Sequence, residues 1–398
     1  MIKVGVIFGG ESVEHEVSII TAVQAMGFID NKKYEVVPIY ITKDRRWFTG
    51  KLLFEMETYR HLNDLSDLAT EVVLTKRNDT FVLMKKRGLF KGVVNNIDVA
   101  FPIVHGKGVE DGSLAGYLEL LGIPYVGPSM LGASIGQDKV VQKQVMESSG
   151  IPIVKYMWFY DNEYLENEDK ILSDIKKFGY PVIVKPARLG SSVGINIAHN
   201  EKEVISAIEE AISYDDKILI EEVVKNLREV DCAVVGTHEH METSLIGEMT
   251  FDDELFSFED KYIGEGGKKN GSKSGPKTGG SLTTGGMNIP CKLDKKLEED
   301  IYKYSKEAFR VLNLSGVTRF DFLVDDKNKK VYVNEPNTIP GCLAFFFFSP
   351  KGKNYTMLLD ELIKTSIKSY KDGLKKVTSF ESNILSTYNG SKGSKGKM

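Results

Sequence analysis

The chain has 398 residues, 41% of them apolar and 27% charged, which is the make-up of a folded protein long enough for two or three packed domains. Its formal net charge of -4 and pI near 6.0 argue against a nucleic-acid binder, which needs a basic surface to displace counterions from phosphates. Cys232, Cys291 and Cys342 lack metal-ligand spacing, and no apolar run approaches the roughly 20 residues of a membrane span. The expectation is therefore a cytoplasmic protein that handles small molecules, with no disulfide framework, zinc site, nucleic-acid partner or membrane partner.

In chain order, I-K-V-G-V-I-F at 2–8 reads as a strand that ends at Gly9 and Gly10, and the apolar period from Val17 to Ile29 reads as a helix. Glu14 lies in the turn between them, in G-G-E-S-V-E-H-E-V-S. A carboxylate there could hold a substrate ammonium, or could simply sit at a helix start stabilised by the macrodipole. Further strands are expected at Val36–Ile41 and Asp98–Val104, and a helix at Gly112–Leu121, so the first 128 residues alternate as α/β units around a parallel sheet. The charged stretch from Trp47 to Lys91 reads as an elaboration on that sheet. The motif H-G-K-G-V-E-D-G at 105–112 follows a strand, so His105 either projects into the same cleft or is an ordinary polar loop residue.

After Gly127-Pro128 the pattern gives a helix over Lys139–Ser149, strands at Lys155–Phe159 and Pro181–Lys185, a helix at Glu201–Ser213, and strands at Lys217–Val224 and Cys232–Val235. The run P-V-I-V-K-P-A-R-L-G-S-S-V-G places Lys185 at a strand end before a loop with Gly190, Ser191, Ser192 and Gly194. Glycines admit backbone N-H groups to phosphate oxygens and serines add donors, but taken alone the pattern fits an ordinary strand-to-strand loop somewhat better. The segment 264–286 is packed with Gly, Lys, Ser and Thr and reads as a mobile loop, and 389–398 reads as a disordered tail.

V-T-R-F-D-F-L-V, a polar turn and V-Y-V-N-E-P-N, at 317–337, predict an antiparallel hairpin. A turn centred near Asn328 sets Asp321 opposite Glu335 and Arg319 opposite Asn337, all on one face. Two carboxylates and an amide suit Mg²⁺, while a cross-strand salt bridge with Arg319 explains the same spacing. One bulge would exchange the faces.

Taken together, S-V-E-H-E-V-S, H-G-K-G-V-E-D-G, V-K-P-A-R-L-G-S-S-V-G and N-E-P-N-T-I-P-G, in this order, resemble the motifs of D-alanine:D-alanine ligases. The resemblance runs from the first strand to about Lys364, apart from the elaboration and the basic loop. It implies a mixed α/β and α+β, three-domain ATP-grasp fold with an N-terminal parallel-sheet domain. Its parts would be an N-terminal substrate domain (1–128), a central ATP-grasp subdomain (129–222), a C-terminal one (223–376) with a lid around 261–288, and a flexible tail (377–398).

By the same resemblance, Lys139, Lys185, Ser191 and Ser192 contact ATP phosphates, Glu221, Glu222 and Val224 face adenine, Glu229 binds ribose, and Lys261 belongs to the nucleotide site. Asp321, Glu335 and Asn337 match ligands of Mg²⁺, for which Mn²⁺ can substitute. Glu14, Ser191, Arg319 and the backbone N-H of Gly341 match catalytic groups, with Glu14 on the first ammonium and Arg319 and Gly341 on the oxyanion. His105, Tyr262 and Phe346 match substrate contacts, Tyr262 favouring an amine as the second substrate. The family carries a serine where this chain has Phe346, in C-L-A-F-F-F-F-S-P, so the expected D-alanyl-D-alanine product has an alternative with another second substrate, such as D-serine or D-lactate. A homodimer is also implied. A catalytically silent nucleotide-binding module conflicts with the retained Arg319, Asp321, Glu335 and Asn337, and a dinucleotide oxidoreductase conflicts with the absence of G-x-G-x-x-G.

Overall fold

The first apolar run forms β1 (Ile2–Gly9), which lies parallel to β2 (Tyr34–Ile41) on one side and β7 (Val99–Ile103) on the other. Both of its faces are covered, which is why its apolar residues run on without alternating; Val4, Val6, Ile7 and Phe8 are fully buried. Gly9 and Gly10 then turn the chain at φ +89° and +102° into α1 (His15–Phe28). A Cβ on Gly9 would come within 2.2 Å of the Ile41 carbonyl oxygen, so the corner requires glycine. The computed structural model describes residues 1–60, 65–88, 92–249, 287–380 and 382.

The N-terminal sheet has the expected parallel strands β2, β1 and β7, and the elaboration extends it with antiparallel ones. β3 (Trp47–Thr49), the short helix α2 (Leu65–Leu68), β4 (Thr70–Arg77) and β5 (Thr80–Lys85) make up the charged elaboration, and β6 (Val93–Ile97) follows it. These strands extend the sheet antiparallel from β2 in the order β6-β5-β4-β3-β2-β1-β7. The reason is local. Asn78 and Asp79 join β4 to β5 in a two-residue turn with Asn78 at φ +53°, and so short a link can only build a hairpin.

α3 (Ser113–Leu121) follows β7, and then two helices lead away from the first sheet. α4 (Met130–Gln137) is capped by Ser129 and α5 (Lys139–Ser148) by Asp138, whose carboxylate accepts from the Val140 and Val141 N-H groups. The second sheet holds β8 (Tyr156–Tyr160), β9 (Val182–Pro186), β10 (Asn196–Ala198) and β11 (Lys217–Glu222), in the antiparallel order β10-β9-β11-β8. α6 (Asp161–Phe178) and α7 (Glu201–Ile212) cover it, sharing a core with Val182, Val184, Ile218 and Ile220.

The third sheet runs β14 (Met287–Asn288), β13 (Met241–Met249), β12 (Leu227–Gly236), β15 (Gly316–Asp325), β16 (Lys330–Asn337), all antiparallel. α8 (Lys295–Val311) packs Leu297, Ile301, Ala308 and Phe309 against it, and Met146 of α5 enters the same core. The chain then forms the single turn α9 (Phe345–Phe348) and the long α10 (Tyr355–Gly373). Leu358, Leu359, Leu362 and Ile363 of α10 join the core of the first sheet, tying the C-terminal part of the chain back to its beginning. Among the described residues no helix is long and apolar enough to cross a membrane.

Candidate active site

The hairpin pairs Arg319 with Asn337 and Asp321 with Glu335. The route to that pairing differs from the simple arithmetic. From Asp325-Lys330 up to Phe322-Val333 the register runs one residue short of it, and an unpaired Asn334 makes up the difference. Without this bulge Asn334 would stand opposite Asp321, and Glu335 would turn toward the core side where Val333 is buried. The side chains that result are charge-matched. Arg319 donates to both oxygens of Asp321 at 2.7 and 2.8 Å and lies 3.5 Å from Asp231, the β12 residue opposite Asp321. Glu335 is 3.0 Å from the Lys139 ammonium.

Two carboxylates and an amide oxygen are a hard-donor set of the kind a divalent Mg²⁺ takes, so the residues fit such an ion. Among the described residues no three His, Cys, Asp or Glu side chains are grouped to hold a metal unaided. Phosphate oxygens of a nucleotide would have to complete the shell, as Mg²⁺ sites in phosphoryl-transfer enzymes require.

Lys139 is supplied by α5, and one turn further on the same helix supplies Lys143, which is 1% exposed. The Lys143 ammonium lies 2.5 Å from one oxygen of Glu221, itself 1% exposed on β11, while Lys185 at the end of β9 takes the other oxygen. Burial alone would raise the Glu221 carboxyl, but Lys143 and Lys185 outweigh it and hold the group down at about 2. Burial pulls Lys143 down, whereas for Lys185 the same burial is outweighed by Glu221 and Glu335, which raise it. Lys143 also reaches the carbonyl of the bulge residue Asn334, at 3.4 Å. Glu222 and Glu229 are exposed and Val224 is half-buried beyond the end of β11. Ser191 and Ser192 follow Gly190 with φ of +56° and +59°, a pair of left-handed residues that turns the loop sharply.

That loop reaches the first sheet. The Ser191 hydroxyl donates to Glu14, which is 9% exposed just before α1. Glycines line this carboxylate on two sides: a Cβ on Gly106 would lie 2.9 Å, and one on Gly190 2.8 Å, from Glu14 Oε2. His105 is buried, its ring hydrogen-bonded to the Ile339 backbone, and burial holds it below the usual imidazole range. Its Nε2 has no partner among the described residues, as expected of a group that awaits a ligand. Gly341 follows Pro340, and nothing lies within 4 Å of where its Cβ would be. The next three residues, Cys342, Leu343 and Ala344, all take φ near +50°.

The structure thus brings Glu14 together with Ser191, Arg319 with Asp321, Glu335 with Lys139, and Glu221 with Lys185. Phe346 lies half-buried between Phe345 and Phe347, with ring centroids 5.9 and 4.7 Å away, while Phe347 and Phe348 are fully buried in the core. Lys261, Tyr262, the basic segment 264–286 and the tail 389–398 lie outside the described residues.

The family model for the N-terminus of D-ala D-ala ligases matches residues 3–128, and the model for the C-terminus matches residues 145–367. The chain belongs to the D-alanine–D-alanine ligase family. A curated D-alanine–D-alanine ligase from Thermosipho melanesiensis is 37% identical over 386 residues, which is 97% of this chain and 98% of that protein. Among solved structures, the D-alanine-D-alanine ligase of Coxiella burnetii aligns with a TM-score of 0.76 at 27% identity, covering 94% of this chain and 96% of that one. The VanG D-Ala:D-Ser ligase of Enterococcus faecalis aligns with a TM-score of 0.74, also at 27% identity, covering 92% and 99%.

This protein is therefore an ATP-dependent ligase, of a family that uses ATP and a divalent metal. Two charged residues of the ligase's site escaped the sequence reading. Lys143 carried a signal, because it lies four residues after Lys139 and so on the same face of a helix. Asp231 carried none, since its place opposite Asp321 follows only from the pairing of β12 with β15.

Proposed function

We propose that this enzyme joins two D-alanines into D-alanyl-D-alanine in the cytoplasm, as a homodimer, for the building of peptidoglycan precursors. ATP phosphorylates the carboxylate of the first amino acid, and the amine of the second attacks the acyl phosphate and releases inorganic phosphate. The observation that carries this reading is the hairpin face. It gathers Asp321, Glu335 and Asn337 as oxygen donors, with the cations Arg319 and Lys139 already seated on the two carboxylates.

In this reading Asp321, Glu335 and Asn337 would hold Mg²⁺, with Mn²⁺ able to replace it, and such an ion neutralises phosphate charge during transfer. Lys139 and Lys185 contribute positive charge toward the phosphates, and the loop at Ser191 and Ser192 contributes donors. Glu221, Glu222 and Val224 would face the adenine, Glu229 the ribose, and Lys261 the nucleotide. Glu14, steadied by the Ser191 hydroxyl, accepts the first substrate's ammonium, and the free Nε2 of His105 meets its carboxylate. Arg319 and the Gly341 N-H stabilise the tetrahedral oxyanion. Tyr262 adjoins the second amine. The division at 128 and 222, the lid around 261–288 and the tail from 377 belong to the same proposal.

Phe346 favours a second reading of the acceptor pocket. It offers no hydrogen-bond donor where the family has a serine, so a second substrate other than D-alanine fits the same chemistry. Phosphate release from ATP, measured with D-alanine alone and then with D-alanine plus D-serine, D-lactate or other D-amino acids, separates the two. Release with D-alanine alone supports the first reading. Release only with a different acceptor replaces it, and no release with any acceptor rejects both.

A further inference from the structure

Glu110 has no part in the chemistry above, yet its carboxylate receives three hydrogen bonds. Oε2 accepts from the Gly106 N-H at 2.8 Å, within its own turn. Oε1 accepts from the Thr338 hydroxyl at 2.9 Å and from the Ile339 N-H at 3.1 Å. Those two donors lie 228 and 229 positions further along the chain, in the segment that leads from Asn337 to Gly341. The His105 ring, five residues before Glu110, is hydrogen-bonded to the Ile339 backbone as well. Thr338 is buried, and α4 presses on it so closely that a Cβ on Gly136 would fall 2.5 Å from its methyl group.

We infer that Glu110 is a positioning residue that fastens the turn of the first-substrate pocket to the end of the metal-binding strand. It thereby keeps Glu14 and His105 at a set distance from Asn337 and Gly341. The inference rests on the functional reading given above, because it takes those four groups as parts of one site. Its physical basis is that one carboxylate is the common acceptor for donors from two sheets, and a charged acceptor makes stronger hydrogen bonds than a neutral one. Misplacement by about 1 Å in such a site costs about 100-fold in rate.

Among the described residues the titratable group that acts on Glu110 is Glu14. Burial, with help from Glu14, pushes the Glu110 carboxyl up to about 7, so acid should convert it to a weaker acceptor. In the Glu110→Gln variant an amide nitrogen must face at least one of the three donors. That variant should lose about 100-fold in kcat/KM for D-alanine, mainly through a higher KM, while its nucleotide Kd, read by displacement of a fluorescent ATP analogue, stays unchanged. The wild type should show an acid limb near pH 7 in kcat/KM that the variant lacks. Thr338→Val, which removes one donor, should lose about tenfold.

Amide hydrogen exchange at Gly106 and Ile339 gives a reading that needs no turnover, and both should exchange faster in Glu110→Gln. Unchanged exchange at both positions, or unchanged kcat/KM with an unchanged pH profile, overturns the inference. If Glu110→Gln does not fold, Thr338→Val decides by the same measures. A wild type that releases no phosphate with any acceptor sinks the functional reading instead, and the exchange experiment still decides this one.

Discussion

At the hairpin, the direction of Glu335 depends on one extra residue. The sequence arithmetic found the right partners by centring the turn near Asn328. The observed turn is half a residue earlier, and the bulge at Asn334 compensates. Spacing alone therefore reached the correct pairing without containing its cause, since a bulge leaves no dependable mark in a single sequence. If Glu335 holds the metal, Glu335→Gln should lower kcat by about 100-fold or more while nucleotide Kd changes far less. Equal turnover in a steady-state phosphate assay would remove Glu335 from the site. For Lys143 the spacing from Lys139 marks the helix face, but its burial beside Glu221 follows only from the fold. Lys143→Met leaves part of a buried carboxylate uncompensated and should cost about 3 kcal/mol in urea unfolding, with part of the loss recovered by Lys143→Arg. A variant as stable as the wild type would show that Lys185 alone suffices for Glu221.

Helices and parallel strands were the most legible elements, because glycine corners and apolar runs report on the backbone directly. The expectations for α1, α3, α5, α7, β1, β2 and β7 agree with the observed spans to within a few residues. The region from β3 to β6 was not legible in the same way. Its strands are short or carry charge on one face, and of their pairings only that of β4 with β5 follows from a two-residue turn. The three left-handed residues after Gly341 are likewise invisible in the sequence, since Cys342, Leu343 and Ala344 are not residues that favour that conformation. Helix packing gives a prediction at this scale. A Cβ on Gly132 of α4 would sit 2.4 Å from the backbone oxygen of Asn313, so Gly132→Ala should destabilise by about 1–3 kcal/mol. Gly27, exposed near the end of α1 with nothing within 4 Å, is the control, and Gly27→Ala should stabilise by about 0.5–1 kcal/mol. Thermal melts of the two variants that moved in the same direction would contradict the packing described here.

Across the whole molecule, the first sheet shares one apolar core with Ala233, Val235 and Val317 of the third sheet and with one long helix, α10, and charged contacts add to it. The order of four short motifs along the chain was enough to make the family legible, whereas the contacts between sheets join residues hundreds of positions apart and follow only from the fold. Two buried carboxylates have opposite pH signatures. The Glu221 carboxyl is held at about 2, so its contribution to stability is present above the ordinary glutamate range and is lost only as pH falls toward 2. The Glu110 carboxyl is raised to about 7, so its contribution is complete below the ordinary range and declines as pH rises through 7. The stability advantage of the wild type over Glu110→Gln should therefore shrink between about pH 5 and pH 7 and then level off, and an advantage that grew over that interval would refute the assignment. In the proposed reaction ATP activates a carboxylate inside this site, and isotope transfer tests that step directly. With D-alanine labelled with ¹⁸O in its carboxylate, each phosphate released should carry one labelled oxygen taken from the amino acid. Phosphate released in step with dipeptide but without label would contradict the acyl-phosphate route.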